Sequence, residues 1–412
     1  MKKKIVNYVP VFYGLSHIGQ VFSVLWSKKI GKCAVYDPDK KIRKKFKYGK
    51  LTNEEPQLKK INYKKKIILY EKINDLKNHN IIFFTIDTPI KKNGYPNLNL
   101  IKNNLKKIFS LNFQKKTYLI ITSQVYPGFT EKFLEQTKLN KEIEVIYMVD
   151  TLKMGEAIKS FLFPEQLIFG CKEKNIFLLK KLFNKFKVKK FFLKIIEAEL
   201  VKISINIYLF FSVSFANIID EVAKRNKIDY SKIIECLRND KRIGKKAYIN
   251  PSLGFAGGHL ERDYFYLKKV SENKKLNKIL DLLYEHNQKR RSILNKILKK
   301  NNHIKKILIV GISYKKESFS LVNNYFEEIF NNKKLKVKIY DSYYKVKINN
   351  QKIENNFLKS LNENNIIIYN YSNKRDLVIL KKFISKNKNK TLINLSKEKF
   401  NTFKQKKITD FC

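Results

Sequence analysis

Glycine and proline are scarce in this chain, 13 and 8 among 412 residues, which excludes collagen-like and linker-like polymers. Cysteine is also sparse: Cys33, Cys171, Cys236 and Cys412 form no C-x-x-C pair. Their spacing encodes neither a zinc site nor a disulfide framework, and a reducing, cytoplasmic compartment is expected. Acidic residues number 36 against 87 Lys+Arg, a formal charge of +51. Only eight of those cations are Arg, and the lysines are spread along the whole length among Asn, Ile, Phe and Tyr. That pattern reads as a compositional bias carried on a solvated surface, with selection for a polyanionic partner as the alternative. No recognisable nucleic-acid module is present, so no nucleic-acid partner is expected. Long hydrophobic runs are missing too. The longest uncharged stretch, Ile203 to Ile219, has 17 residues and contains Ser204, Asn206, Ser212, Ser214 and Asn217. It falls short of the ~20 residues of a spanning helix and reads as a buried helix instead of a membrane span. The basic start, Met1 to Lys4, leads into a mixed polar stretch, so no secretory signal is expected.

What is present suffices for packed cores: 43% of residues are hydrophobic and 13% aromatic. Apolar runs at Val9–Tyr13, Ala34–Tyr36, Ile67–Tyr70, Ile81–Ile86, Tyr118–Thr122 and Val145–Met148 alternate with Lys-rich amphipathic stretches. This is the rhythm of a doubly wound parallel sheet. From Glu197 to Lys300 the pattern is helical, interrupted at Gly254–Gly258. Strand-like runs return at Ile307–Val310, Val337–Tyr340, Ile366–Tyr369 and Thr391–Asn394. The fold class expected is α/β, with two Rossmann-like doubly wound domains joined by a central helical region.

Three segments carry chemistry. The first is Gly14-Leu15-Ser16-His17-Ile18-Gly19, which follows an apolar run and opens a helix; Asp37 lies 18 residues after Gly19. In a dinucleotide fold the glycines make the tight turn and let helix and strand pack, and the helix N-terminus faces the pyrophosphate. A carboxylate at Asp37 would take the ribose hydroxyls and favour NAD. Ser16 stands in the second glycine's place, and Pro10 falls inside the expected central strand. The second is Lys202 and Asn206, four apart and so on one helix face. An ammonium beside an amide polarises an alcohol or a developing aldehyde oxygen; the alternative is a lysine snorkelling from a core helix with Asn206 bonded locally. The third runs from Asp240-Lys241-Arg242-Ile243-Gly244 to Gly254-Phe255-Ala256-Gly257-Gly258-His259-Leu260-Glu261-Arg262-Asp263 and holds three of the eight arginines, counting Arg238. Arginine grips phosphate or carboxylate bidentately. The alternative is a mobile surface turn.

In order and spacing these pieces resemble the UDP-glucose/GDP-mannose dehydrogenase family along nearly the whole chain. Glu55-Pro56-x-Leu58, Thr88-Pro89, Val125-Tyr126-Pro127-Gly128 and Gly155-x-Ala157-Ile158 resemble segments of its NAD-binding part. Glu199-Leu200-x-Lys202-x-x-x-Asn206 and Asp240-x-Arg242-Ile243-Gly244 resemble its central part, and Gly311-Ile312-Ser313-Tyr314-Lys315 its UDP-binding domain. The resemblance implies an NAD-binding domain over 1–195, a helical dimerisation domain over 196–300 and a nucleotide-sugar (UDP) domain over 301–412. It implies oxidation of a sugar C6 alcohol in surface-polysaccharide precursor synthesis, NAD as cofactor, a nucleotide-sugar substrate and a homodimer built on the central helix. It places Gly14, Ser16, Gly19, Asp37 and Thr88 at the cofactor, and Lys202, Asn206, Asp150 and Asp263 at the chemistry. Arg242, Gly254, Phe255 and Lys315 fall at the sugar nucleotide.

The departures from the family pattern sit at the chemistry. The family's nucleophilic cysteine falls on His259, or on Leu260 with a one-residue shift, and no cysteine occurs between Cys236 and Cys412. Asp150 stands for one glutamate, Met154 for a second, Gln124 for a threonine that places water, and Val322 for an arginine of the last domain. Imidazole cannot give a thioester, so the second oxidation and hydrolysis are not expected in the family's form. His259 is either a proton acceptor or a residue filling the lost thiol's space. Two functions remain open: an oxidation at CH–OH that stops after one hydride transfer or works through altered chemistry, and a catalytically inactive nucleotide-sugar-binding paralogue.

Overall fold

The computed structural model describes residues 9–52, 55–91, 94–137, 140–255, 258–300, 306–313, 324–330, 332, 335–344, 353–387, 389–396, 398, 400 and 405–407. Its contacts divide the chain into two compact units, Met1–Asn206 with Glu261–Val270, and Ile207–Leu260 with Ser271–Cys412.

The first unit contains β1 (Val11–Tyr13), α1 (His17–Lys29), β2 (Cys33–Tyr36), α2 (Lys40–Lys47), β3 (Ile67–Leu69), β4 (Ile81–Phe84), α3 (Asn99–Phe109), β5 (Thr117–Ile121), α4 (Phe129–Glu135), β6 (Ile143–Met148), α5 (Ala157–Leu162), β7 (Leu167–Gly170), α6 (Ile176–Leu182) and β8 (Lys190–Leu193). Its sheet runs β3-β2-β1-β4-β5-β6-β7-β8, with every pair parallel except β6 with β7. The first six strands follow the doubly wound order, whose switch point lies between β1 and β4. Helices on both faces explain why the inner strands are unbroken apolar runs. Phe12 faces one core with Phe83 and Ile120, while Val11 and Tyr13 face the other with Ile82 and Phe84. Pro10 does not interrupt the central strand as its position in the run implied. The strand begins at Val11, and only the Pro10 carbonyl is used, accepting from Ala34 N at 2.8 Å. A proline costs nothing where no N–H is required.

α7 (Ile195–Arg225) follows, 31 residues long, then α8 (Tyr230–Asn239), α9 (His259–Ser271), α10 (Lys274–Arg291) and α11 (Ile293–Lys300). The division between units passes within α7 and again within α9. α7 is the one helix among the described residues long and apolar enough to cross a membrane, with 39% of its most apolar window buried.

The second unit's sheet is built from β9 (Lys306–Val310), α12 (Glu327–Phe330), β10 (Lys336–Tyr340), β11 (Ile353–Glu354), α13 (Phe357–Glu363), β12 (Ile366–Tyr369), α14 (Lys374–Lys386), β13 (Thr391–Asn394) and β14 (Gln405–Lys407). Its order is β11-β10-β9-β12-β13-β14, all parallel, which repeats the order of the first six strands of the other sheet. Ile307 and Ile309 face one core, Leu308 and Val310 the other.

Candidate active site

At the first sheet's switch point the chain leaves β1 through Gly14 at φ +103°. A Cβ there would lie 2.9 Å from Ile86 N, and a Cβ on Gly19 would lie 2.9 Å from the Gly14 carbonyl carbon, so both positions require glycine. Ser16 is the N-cap of α1: its Oγ accepts from Gly19 N at 3.4 Å and donates to Thr85 O at 2.6 Å. A serine in the second glycine's place therefore closes the helix start and ties it to the end of β4.

Asp37 follows β2 and is 3% exposed. Oδ2 accepts from Leu15 N at 2.6 Å and Oδ1 from Asp39 N at 2.8 Å. Burial pushes its carboxyl above the usual range, and the two backbone donors pull it back. A carboxylate has about four acceptor positions, and among the described residues two of them stay open, the number that a ribose diol would take. With the glycine cradle and the start of α1, the donor set fits a dinucleotide. Glu55, of the E-P-x-L segment, is buried, accepts from Gly155 N at 2.5 Å and lies 3.4 Å from His17 Nε2. It joins two family-like segments to the first turn of α1. Thr88 donates to Gln124 O at 2.6 Å.

The second cluster of this unit is centred on Asp263, which is fully buried. Its Oδ2 accepts from Asn206 Nδ2 at 2.5 Å and Gln124 Nε2 at 3.2 Å, and its Oδ1 from Arg262 Nε at 3.1 Å. The Gln124 carbonyl accepts from both Thr88 Oγ1 and the Tyr266 hydroxyl, the latter at 3.3 Å. Lys202 donates to the Asp150 carbonyl at 2.5 Å, with its Nζ 3.8 Å from Asp150 Oδ2. Neither part of the alternative reading of α7 holds. Asn206 bonds across 57 residues instead of locally, and Lys202 is paired instead of snorkelling free.

Glu199, one turn earlier on α7 and part of the E-L-x-K motif, is fully buried. It accepts from Gly128 N at 2.7 Å, Thr130 N at 3.1 Å and Thr130 Oγ1 at 2.6 Å, and so ties α7 to the V-Y-P-G turn. Burial pushes its carboxyl up to about 7 against those donors. The signal available in the sequence was an acid at the head of an apolar helix.

In the second unit, Arg242 is exposed and its guanidinium forks onto Asp240 of the same turn, at 3.0 and 2.6 Å. Gly254 takes φ +103°, and the Phe255 ring is buried 5.0 Å from that of Phe210. His259 is the first residue of α9 and is exposed. At this sheet's switch point Gly311 (φ +84°) leads to Ile312, whose N–H meets Asp341 Oδ2 at 3.0 Å. Lys315 and Val322 lie outside the described residues. Among the described residues no group of three or more His, Cys, Asp or Glu could hold a metal ion.

Residues 9–187 match the model of the UDP-glucose/GDP-mannose dehydrogenase family, NAD binding domain, and residues 196–289 that of the same family's central domain. The chain belongs to the UDP-glucose/GDP-mannose dehydrogenase family. It is 27% identical over 251 residues to the UDP-glucose 6-dehydrogenase of Rickettsia bellii, covering 58% of this chain and 57% of that one. It is 30% identical over 268 residues to the Campylobacter jejuni UDP-glucose 6-dehydrogenase, covering 62% and 66%. The matched stretch thus spans little more than half of the Rickettsia protein. The fold is shared with a UDP-glucose dehydrogenase from Pyrobaculum islandicum at TM-score 0.83, 17% identity and 99% coverage of both chains. It is also shared with the UDP-D-ManNAc dehydrogenase of Pyrococcus horikoshii, at TM-score 0.80 and 21% identity, over 98% of this chain and 99% of that one. As a member of this family the chain takes NAD as its cofactor, and Gly14, Gly19 and Asp37 lie within the stretch that matches its NAD binding domain.

Proposed function

We propose that this protein is an NAD-dependent oxidoreductase acting on the CH–OH group of a nucleotide sugar, a UDP-sugar by default, and that it makes one oxidation. The carrying observation is the Lys202–Asp150 and Asn206–Asp263 arrangement on one face of α7. Lys202 has three N–H donors, and Asp150 engages at most two of them. One remains for the substrate oxygen. Asn206, anchored by Asp263, keeps a second N–H and its carbonyl. Together they hold the alcohol oxygen and stabilise negative charge developing on it. When bound, NAD supplies the hydride acceptor. The hydroxyl proton goes to His259, at the family's cysteine position, in our reading. Gly14, Ser16, Gly19, Asp37 and Thr88 are assigned to the cofactor, and Arg242, Gly254, Phe255 and Lys315 to the sugar nucleotide.

The departures support stopping at the aldehyde or ketone. No thiol stands at the nucleophile position, and Gln124, in place of the water-placing threonine, uses its amide on Asp263. The engagement of Asp263 by three internal donors, from Gln124, Asn206 and Arg262, favours the second reading, an inactive paralogue that binds nucleotide sugar.

The domain scheme of 1–195, 196–300 and 301–412 belongs to this proposal, as does a homodimer. Ile196, Leu200, Tyr208, Phe211, Phe215 and Val222 leave an exposed apolar stripe along α7. The same helix buries Glu199 and pairs Lys202, which suits cover by a second copy in a cytoplasmic protein better than lipid.

The test is to mix the protein with NAD⁺ and a panel of UDP- and GDP-sugars, following NADH absorbance and product mass. One NADH per sugar with an aldehyde or ketone supports the proposal. Two NADH with a carboxylate overturn the single oxidation. Binding of both ligands without NADH selects the paralogue.

A further inference from the structure

The turn Ser252–Phe255 is held almost wholly by side chains. Ser252 N donates to Asn217 Oδ1 at 2.9 Å, and Phe255 N to Asn287 Oδ1 at 2.8 Å. Ser252 O accepts from Arg290 Nε at 3.0 Å, and Gly254 O from Tyr325 Oη at 2.9 Å. Gly254 is pressed against the clamp: a Cβ there would lie 2.4 Å from Asn287 Oδ1. Backbone groups that find no partner in a helix or sheet must be met elsewhere, so these side chains decide the turn's shape.

Arg290 does more than meet one carbonyl. It is 1% exposed and uses all three nitrogens: Nη1 reaches Asn217 O at 3.3 Å and Glu221 Oε1 at 3.1 Å, and Nη2 reaches Asp220 Oδ2 at 3.0 Å. Asp220 is also paired with Lys224 at 3.0 Å, and Glu221 with His286 at 3.0 Å. A buried charge is tolerated only when paired and hydrogen-bonded, and this one joins α7, α10 and the turn.

We propose that Asn287 and Arg290 are positioning residues that set the shape of the Ser252–Phe255 turn and, through it, the affinity for the nucleotide sugar. The inference rests on the reading above that Gly254 and Phe255 meet that ligand. Asn287 is 2% exposed and Arg290 1%, so both act through the turn and not on the ligand.

The test compares the full-length protein with Asn287→Leu, Asn287→Asp and Arg290→Lys. Asn287→Asp keeps the acceptor for Phe255 N–H, and among the described residues Asn287 Nδ2 has no partner to lose. Arg290→Lys keeps the charge and loses the fork. Hydrogen exchange reads the amides of residues 252–255, and calorimetry reads UDP-glucose, GDP-mannose and NAD⁺ binding. Asn287→Leu and Arg290→Lys should speed exchange in the turn and weaken nucleotide-sugar binding by about tenfold, the worth of one buried hydrogen bond. NAD⁺ binding should stay unchanged, and Asn287→Asp should restore both readouts. Unchanged exchange overturns the clamp. Faster exchange with undiminished sugar-nucleotide affinity overturns its role in binding. If the wild-type protein binds neither UDP-glucose nor GDP-mannose, the functional reading has failed and the affinity half of the proposal falls with it, while exchange still decides the clamp. If Arg290→Lys does not fold, the Asn287 pair decides.

Discussion

After β1 the chain turns at Gly14, donates Leu15 N–H to Asp37 and receives Thr85 Oγ1 on the Gly14 carbonyl at 2.6 Å. After β9 it turns at Gly311, donates Ile312 N–H to Asp341 and receives Asn370 Nδ2 on the Gly311 carbonyl at 3.1 Å. Gly14 N meets Tyr36 O at 2.8 Å, and Gly311 N meets Tyr340 O at 2.9 Å. The two switch points share one construction down to single hydrogen bonds. They part at the residue packed on the glycine, Ile86 in the first and Tyr371 in the second. Asp37 accepts from two backbone donors. Asp341 accepts from four: Ile312 N at 3.0 Å, Tyr343 N at 2.8 Å, Tyr344 N at 3.2 Å and Tyr371 Oη at 2.8 Å. Four donors fill a carboxylate. Among the described residues the first carboxylate keeps acceptor positions open, whereas the second has spent them on its own fold. Sheet order alone would have made them equivalent.

The largest test of this comparison is alanine at each glycine. Gly14→Ala puts a Cβ 2.7 Å from Ile86 Cδ1 at φ +103° and should cost about 2–5 kcal/mol, with NAD⁺ affinity lost by at least about tenfold. Gly311→Ala, at φ +84° and 2.5 Å from Tyr371 O, should cost similar stability and leave NAD⁺ affinity intact. Denaturation and calorimetric titration separate the two, and equal losses of NAD⁺ binding would break the comparison.

Glu199 sharpens the contrast with a third buried carboxylate, whose three donors do not offset its burial. Its folded pKa, about 7, lies above its ordinary 4.5, so the folded state keeps a proton that the unfolded chain releases. Its contribution to stability is whole below about pH 4.5 and falls by about 3 kcal/mol as pH rises through 7. Urea unfolding at pH 5 and pH 8 should show this fall, and Glu199→Gln should flatten it. An unchanged pH dependence in the variant would refute the assignment.

Asp37→Asn should weaken NAD⁺ binding by about ten- to a hundredfold, because a charge-assisted acceptor for ribose is lost. Asp341→Asn should instead lower stability by about 1–3 kcal/mol with NAD⁺ binding unaffected, since its four donors are internal. Smallest is Tyr371→Phe, which removes one of the four donors from Asp341 and should cost about 1 kcal/mol in melting experiments. A neutral result there would mean that the hydroxyl is not what fills the second crevice.

Much of this was legible in the residues. Ile366–Tyr369 and Thr391–Asn394 appear as strands at the bounds read from their apolar runs, and the other runs differ by one or two residues at one or both ends. A strand buried on both faces must be apolar throughout, so the run itself is the signal. β7 and β8 fall outside that signal: each is four residues long, and β7 runs antiparallel to β6, outside the βαβ rhythm. The shared face of Lys202 and Asn206 follows from helical spacing alone. Their partners do not, because Asn206 meets Asp263 across 57 residues and Gln124 meets it across 139.

The sequence by itself determined the parallel strands of two sheets, the glycines that open each crevice and the acid that follows each second strand, because local sterics and burial act through adjacent residues. Tertiary structure decided which acid stayed open and which was filled. It also decided that Glu199 would be buried against Thr130 and that Gln124 would reach Asp263. Hydrogen-bond saturation depends on which distant side chains arrive at a site, and chain spacing carries no record of that.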